Sequence, residues 1–166
     1  LHKWIINNLN EKEELCKKEL SQKLKISPAL CTLLVQRGIT TVEDANNFFH
    51  PKLKEIHNPF LLNDMDKAVE RLNTALGNRE KILVYGDYDV DGTTAVALVY
   101  KFLQQCTSNI DFYIPDRNDE GYGVSYKGID YAAENSFSLI IVLDCGIKAI
   151  EKVSYAKEKG IDIIIC

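Results

Sequence analysis

The chain has 166 residues, 46% of them hydrophobic and 27% charged, with 24 acidic against 20 basic side chains and a formal net charge of -4. This balance suits a soluble protein with one α/β core and a small extra unit; it excludes a broadly basic nucleic-acid surface but not a local basic groove. No apolar run approaches a membrane span, no signal peptide opens the chain, and five cysteines without a CxxC pair (Cys16, Cys31, Cys106, Cys145, Cys166) predict buried thiols in a reducing cytoplasm.

Taken in order, Glu11 to Leu24 is rich in Glu, Lys, Leu and Gln and predicts a helix. Ser27-Pro28 supplies an N-cap and a first-turn proline for ALCTLLVQR, which Gly38 stops. Thr41, with Asp44 three residues on, caps VEDANNFF. The pair around Gly38 has the layout of a helix-turn-helix but lacks the basic residues of a DNA reader, so it reads as a packing unit. His2, His50 and His57 all fall in this part and read as surface or packing residues, not ligands. Pro51 to Leu62 predicts irregular chain, with Pro59 arguing against a regular element. The organisation expected is a helical segment over 1–62 and an α/β unit over 63–166.

Asn63 or Asp64 then caps an amphipathic helix in which Met65, Ala68, Val69, Leu72, Ala75 and Leu76 recur at helical spacing before Gly77-Asn78 closes it. This helix is expected to pack on a sheet. Beyond it, strands at 82–86, 110–114, 138–143 and 161–165 alternate with helices at 93–105, 126–135 and 147–159. The strands are continuous apolar runs such as SLIIVLD, the pattern of a parallel sheet covered on both faces. Right-handed crossovers then give a doubly wound, mostly parallel, Rossmann-like α/β sheet. GIDIIIC at the end reads as a turn and a buried strand, which predicts a chain cut in the middle of its fold.

All strands of a parallel sheet end on one edge, and the chemistry collects there. The first strand delivers Asp87, Asp89 and Asp91, with Gly92, Thr93 and Thr94 opening the next helix. The second delivers Pro115, Asp116 and Arg117 and the loop NDEGYGVS; the third delivers Asp144 and Gly146. One such Asp is a helix cap or turn residue. Three in alternation beside apolar strands repel one another and ask for a cation, and oxygen donors suit magnesium, calcium or manganese. Arg117 either pairs with Asp116 or Glu120 or clamps a phosphate with its planar fork. Gly92, Thr93 and Thr94 offer backbone N–H groups to an anion, and Tyr122 either packs or stacks on a base. Carboxylates holding metal beside an anion pocket favour hydrolysis of a phosphate ester or anhydride.

VYGDYDVDGTT, YIPDRNDEGYG and IVLDCGI together resemble the start of a DHH-family phosphoesterase, and RGITTVEDANNFFHP with DMDKAVERL extends the resemblance from Arg37 to Cys166. Within that family the pattern is similar to the bacterial single-stranded-DNA-specific 5′-to-3′ exonucleases of repair and recombination. The resemblance implies Asp89, Asp91 and Asp144 as metal ligands and catalytic carboxylates, Asp87 as a supporting acid, and Arg117 as the arginine that meets a substrate phosphate. It implies manganese or magnesium, two ions in the complete protein, single-stranded DNA as partner and a cytoplasmic location. Helicase or single-strand-binding-protein partners would act through regions outside this chain. Two departures stand out. Tyr85 occupies a position where some members carry a histidine, and the DHH triplet and later aspartate motif would lie beyond Cys166, so the chain by itself is expected to be inactive or nearly so.

Three rival readings share the acidic turn. Another DHH phosphoesterase (a pyrophosphatase, or an oligonucleotide or cyclic-dinucleotide phosphodiesterase) would lack the helical preface and EGYG loop. A haloacid-dehalogenase-type phosphatase would use Asp89 as nucleophile and Asp91 as acid, but expects the first of them directly after the strand, where Gly86, Asp87 and Tyr88 intervene. A binding module that has lost its chemistry would not be expected to keep Asp89, Asp91 and Asp144 together.

Overall fold

Capping chemistry sets the helix starts near the N-terminus. The computed structural model describes residues 3, 5 and 7–166, so His2 lies outside the described residues. Helix α1 (Glu11–Leu24) opens on a reciprocal cap: Asn10 Oδ1 accepts from the Glu13 N–H at 3.0 Å, and the Glu13 carboxylate accepts from the Asn10 N–H at 2.8 Å. Ser27 caps α2 (Pro28–Gln36), and Thr41 caps α3 (Val42–Phe49). Leu20, Cys31, Leu34, Val35 and Ala45 form the core of this unit, which runs to Asn58. His50 and His57 are exposed.

The stretch expected to be irregular contains two short 3-10 turns, Leu53–Glu55 and Pro59–Leu61. Proline is tolerated in the second because it stands at its first position, where no N–H is needed. A second unit runs from Pro59 to Cys166. Its first long helix, α4 (Met65–Gly77), has Asp64 at the cap position, but with φ 58°. The Asp64 carboxylate pairs with Lys67 Nζ at 2.6 Å instead of capping the helix.

Strands β1 (Ile82–Gly86), β2 (Ile110–Tyr113), β3 (Leu139–Leu143) and β4 (Asp162–Ile165) form one parallel sheet in the order β2-β1-β3-β4. Helices α5 (Val90–Leu103), α6 (Tyr126–Glu134) and α7 (Ile150–Glu158) connect them. Side chains alternate across the pleat, so each central strand feeds two cores. Ile82, Val84, Leu139 and Ile141 pack with Ala75 of α4 and with Val96 and Leu103 of α5. Leu83, Tyr85, Ile140 and Val142 pack with Ile129 and Ala132 of α6 and with Ala156 of α7. This is the doubly wound α/β arrangement.

Burial follows position in the sheet. Every residue of β1 and β3 is buried, whereas β2 and β4, at the edges, are largely half-buried, so the terminal strand is not the buried strand that its composition suggested. The five cysteines form no disulfide. Cys31 and Cys145 are buried as expected, but Cys106 and Cys166 are exposed and Cys16 is intermediate, a correction to the expectation of uniformly buried thiols.

Candidate functional site

The strand order creates the site. From β1 the chain crosses through α5 to β2 on one side, and from β2 it crosses back through α6 to β3 on the other. The carboxyl ends of β1 and β3 therefore flank the crevice where connections diverge, the place at which open α/β sheets bind ligands. Asp87, Asp89 and Asp91 arrive from β1 and Asp144 from β3.

Two glycines make the β1 exit tight. A Cβ on Gly86 would lie 2.4 Å from Val96 Cγ2, and one on Gly92 would lie 2.4 Å from the Asp87 carbonyl oxygen. Only hydrogen in both places lets α5 start directly against the strand. For that reason the helix begins at Val90, three residues before the expected 93, and Asp91 stands in its first turn. The helix N-terminus favours an acidic side chain there.

Asp89 is the N-cap: its Oδ1 accepts from the Gly92 N–H at 3.0 Å. The Thr93 N–H and hydroxyl both donate to the Asp89 carbonyl, at 3.0 and 2.7 Å. The backbone N–H groups of Gly92 and Thr93, expected to cradle an anion, are thus committed to the cap of their own helix. That is a correction, and its cause is local: an Asp three residues before Gly92 reaches its N–H before any ligand can.

Asp87 is only 1% exposed, and its Oδ1 accepts from the Gly123 N–H at 3.4 Å. Tyr85, fully buried, donates to the Gly123 carbonyl at 2.8 Å and accepts from the Ser125 N–H at 3.1 Å. Burial raises the Tyr85 phenol above its ordinary range. Where some relatives were expected to carry a histidine, this chain holds a neutral phenol that fastens the 116–125 loop to the sheet.

Three groups register the same negative field. Partial loss of water, followed by the charges of Asp89, Asp91 and Asp87, holds the Asp144 carboxyl above the usual carboxylate range. Burial, followed by Asp87, Asp144 and Asp89, pushes the Cys145 thiol up to about 11, which leaves it an inert neutral filler at neutral pH. Tyr122, 69% exposed, is also raised, by some loss of water and then by Asp87, Cys145, Asp144 and Asp89. Among the described residues no Lys or Arg forms an ion pair with Asp87, Asp89, Asp91 or Asp144.

These donors are hard oxygens of the kind that Mn²⁺ or Mg²⁺ takes. Among the described residues, however, no three His, Cys, Asp or Glu side chains converge closely enough to cage an ion. Asp89 is turned back onto its helix, and Asp87 is turned into the loop. The cluster fits a divalent ion in donor type and uncompensated charge, and it is incomplete as a cage.

On the other flank, Arg117 lies near three acids, yet each of them is engaged elsewhere. Asp116 Oδ1 accepts from the Asn118 and Asp119 N–H groups at 2.8 and 3.2 Å, and Asp119 pairs with Lys127. Glu120 accepts from the Tyr113 hydroxyl at 3.0 Å, from the Asp116 N–H at 2.8 Å and from the Ser125 hydroxyl. Burial and the Glu120 contact push the Tyr113 phenol up to about 12. The pairing of Arg117 with Asp116 or Glu120, one of the two expectations, does not form. Its guanidinium lies over the Tyr88 ring, 5.2 Å from the centroid. On the β3–β4 side Tyr122, Asp144, Lys148 and Lys152 line an open cleft of about 660 Å³.

Sequence reasoning gave Tyr88 and Ser125 no role and offered Glu120 only as a partner for Arg117. Ser125 had a readable signal, a serine directly before the helix that it caps through the Gly128 N–H at 2.9 Å. Tyr88 and Glu120 had none, because their partners come from other turns of the fold.

The DHH family, N-terminal domain, matches residues 81–166. The chain is 43% identical over 148 residues to the single-stranded-DNA-specific exonuclease RecJ of Bacillus subtilis, covering 89% of this chain and 19% of that protein. It is 32% identical over 142 residues to the RecJ of Escherichia coli, covering 85% of this chain and 24% of the relative. A crystal structure of exonuclease RecJ bound to manganese superposes with a TM-score of 0.58 at 32% identity, over 63% of this chain and 27% of that one. The Thermus thermophilus RecJ in complex with Mn²⁺ superposes at 0.64 with 24% identity, over 91% of this chain and 20% of that one, a likeness of fold. The chain thus spans about a fifth to a quarter of the length of these relatives.

Proposed function

Because the chain belongs to the DHH family, we propose that it forms the metal-binding start of a 5′-to-3′ exonuclease that hydrolyses the phosphodiester bonds of single-stranded DNA in repair and recombination. The observation that carries this reading is the group of four carboxylates, delivered by adjacent parallel strands to the topological switch point with no Lys or Arg in ion-pair contact with any of them among the described residues.

Asp89, Asp91 and Asp144 are the residues that would hold manganese or magnesium, two ions in the complete protein, with Asp87 supporting them from beneath. A divalent ion held there supplies Lewis-acid polarisation of the phosphoryl group and activation of water. The chain's own residues do the positioning. Asp89 spends one oxygen on the α5 cap, which locks the backbone that carries its other oxygen. Asp87 and Tyr85 tie the 116–125 loop to the carboxylate side of the crevice, so Arg117 and Tyr122 are carried on a fastened loop. Arg117, with its N–H fork unspent on any acid, meets a substrate phosphate, and Tyr122 offers an exposed ring to a base. Gly92 and Thr93 contribute through the cap, not through direct contact with substrate.

Partners such as a helicase or a single-strand-binding protein would be met through regions outside residues 1–166, and the place of action is the cytoplasm. The full-length protein is expected to degrade single-stranded DNA from the 5′ end in the presence of Mn²⁺, whereas residues 1–166 alone, with their incomplete cage, are expected to be inactive or nearly so. The test is release of nucleotides from single-stranded and duplex substrates with and without Mn²⁺. Equal attack on duplex, or activity in chelator, overturns the reading, and Mn²⁺ binding without any cleavage points to a binding module instead.

A further inference from the structure

Arg117, on the loop after β2, is exposed, and the acids next to it in the chain are spent on other partners. Asp116 is spent on two backbone N–H groups, Asp119 on Lys127, and Glu120 on Tyr113, Ser125 and the Asp116 N–H. Among the described residues, the contact recorded for the guanidinium is with the ring face of Tyr88, its Cζ 5.2 Å from the centroid. A cation over an aromatic face keeps its N–H fork in the ring plane's periphery, so a stack restrains an arginine without consuming a hydrogen-bond donor.

The position of Tyr88 matters as much as its contact. It stands between Asp87 and Asp89 in the turn that carries the carboxylates, and it is half-buried. A stack on Tyr88 therefore ties the arginine of the β2 loop to the acidic turn of β1, two segments that no ion pair joins among the described residues. We propose that Tyr88 is a positioning residue, which holds the Arg117 guanidinium at a set distance from the carboxylate group so that one phosphate of the DNA strand is gripped beside the scissile bond. This inference rests on the exonuclease reading and adds to it the part that sets the register of the strand.

The ring face, not the hydroxyl, is what the stack requires. The test is a double-mutant cycle in the full-length protein with Mn²⁺ and single-stranded DNA. Tyr88→Phe is expected to keep the wild-type KM, while Tyr88→Leu raises KM about two- to fivefold with little change in kcat, the range of an exposed cation–π contact. In an Arg117→Ala background, Tyr88→Leu is expected to add nothing further. A merely structural role predicts that the two effects add, and that result overturns the proposal, as does a Tyr88→Phe variant as impaired as Tyr88→Leu. NMR of the arginine side chains reads the stack without any turnover: the Arg117 methylene signals are shifted by the Tyr88 ring current in wild type and in Tyr88→Phe, and not in Tyr88→Leu. Absence of that shift in wild type overturns the inference alone. A wild-type protein that shows the shift but leaves single-stranded DNA intact overturns the exonuclease reading and the role of the stack with it.

Discussion

The two edges of the sheet handle acidic side chains in opposite ways. At the edge where the strands begin, Glu80 and Asp162 share Arg71, whose Nη2 and Nε lie 2.7 and 2.6 Å from them, and the Ser138 hydroxyl donates to Glu80 at 2.7 Å. At the edge where they end, Asp87, Asp89, Asp91 and Asp144 have no cation in salt-bridge contact among the described residues. At the first edge both acids are paired within the chain, and the Glu80 carboxyl lies below the ordinary range because Arg71 and Ser138 stabilise its ionised form. The second is left charged, and Asp144 lies above that range. Carboxylates left without an ion pair on a rigid scaffold are what the proposed metal site requires.

The largest effect expected from breaking the comparison is at Asp89. In the full-length protein, Asp89→Ser should keep the helix cap yet lower Mn²⁺-dependent cleavage by about 100-fold if Asp89 is the metal ligand proposed above. Asp89→Ala should lose the same activity and a further ~1 kcal/mol of stability with the cap. Parallel cleavage assays and denaturant melts separate the two losses; retained activity in Asp89→Ser would remove Asp89 from the site.

Next in size is the backbone contact under the acidic turn. Gly92→Ala places a methyl group against the Asp87 peptide and should destabilise the fold by about 1–3 kcal/mol, as overpacking does. An unchanged denaturation midpoint would show that α5 can move off the strand.

At the opposite edge, Arg71→Met should cost about 1–2 kcal/mol through loss of charge-assisted hydrogen bonds to Glu80 and Asp162. The same network carries a pH signature. Glu80 is depressed in the folded state, so its stabilisation is fully present above its unfolded pKa and is lost as pH falls through the folded value. Glu80→Gln should flatten that acid limb of stability against pH, and an unaltered slope would refute the role given to Glu80.

The smallest effect sharpens the contrast by its sign. Asp144→Asn removes one repelling charge, and Asn tolerates the left-handed backbone, φ 58°, found there. Without metal, thermal melting should move slightly upward, whereas Glu80→Gln moves it downward. With Mn²⁺ present the order should reverse for Asp144, because the stabilisation gained from the bound ion is lost. A downward shift for Asp144→Asn without metal would mean that the carboxylate has a structural partner.

Much of this was legible one segment at a time. Ser27 and Thr41 read as caps in the sequence, and α2 and α3 start where these caps place them. The apolar runs ILVYG and LIIVL read as strands buried on both faces, and they are buried throughout, whereas the equally apolar last strand, read the same way, lies at an edge and is half-buried. Local rules fared worse where a contact came from elsewhere. Asp64 has the composition of a cap, yet its side chain goes to Lys67. Arg117 sits among three acids and pairs with none of them.

By itself, then, the sequence determined the α/β alternation, the two-faced burial of the central strands and the delivery of Asp87, Asp89, Asp91 and Asp144 to one edge. These follow from period and parallel topology, which are properties of a chain read along its length. Only the tertiary structure decided how those groups are deployed: Asp89 turned onto its own helix, Asp87 buried against Gly123, Tyr85 fastening the loop and Tyr88 beneath Arg117. Each of the last three joins residues 29 or more positions apart. The hydrogen-bond capacity of a side chain is known from its type, but which donor reaches it first is settled by the packing that brings distant segments together.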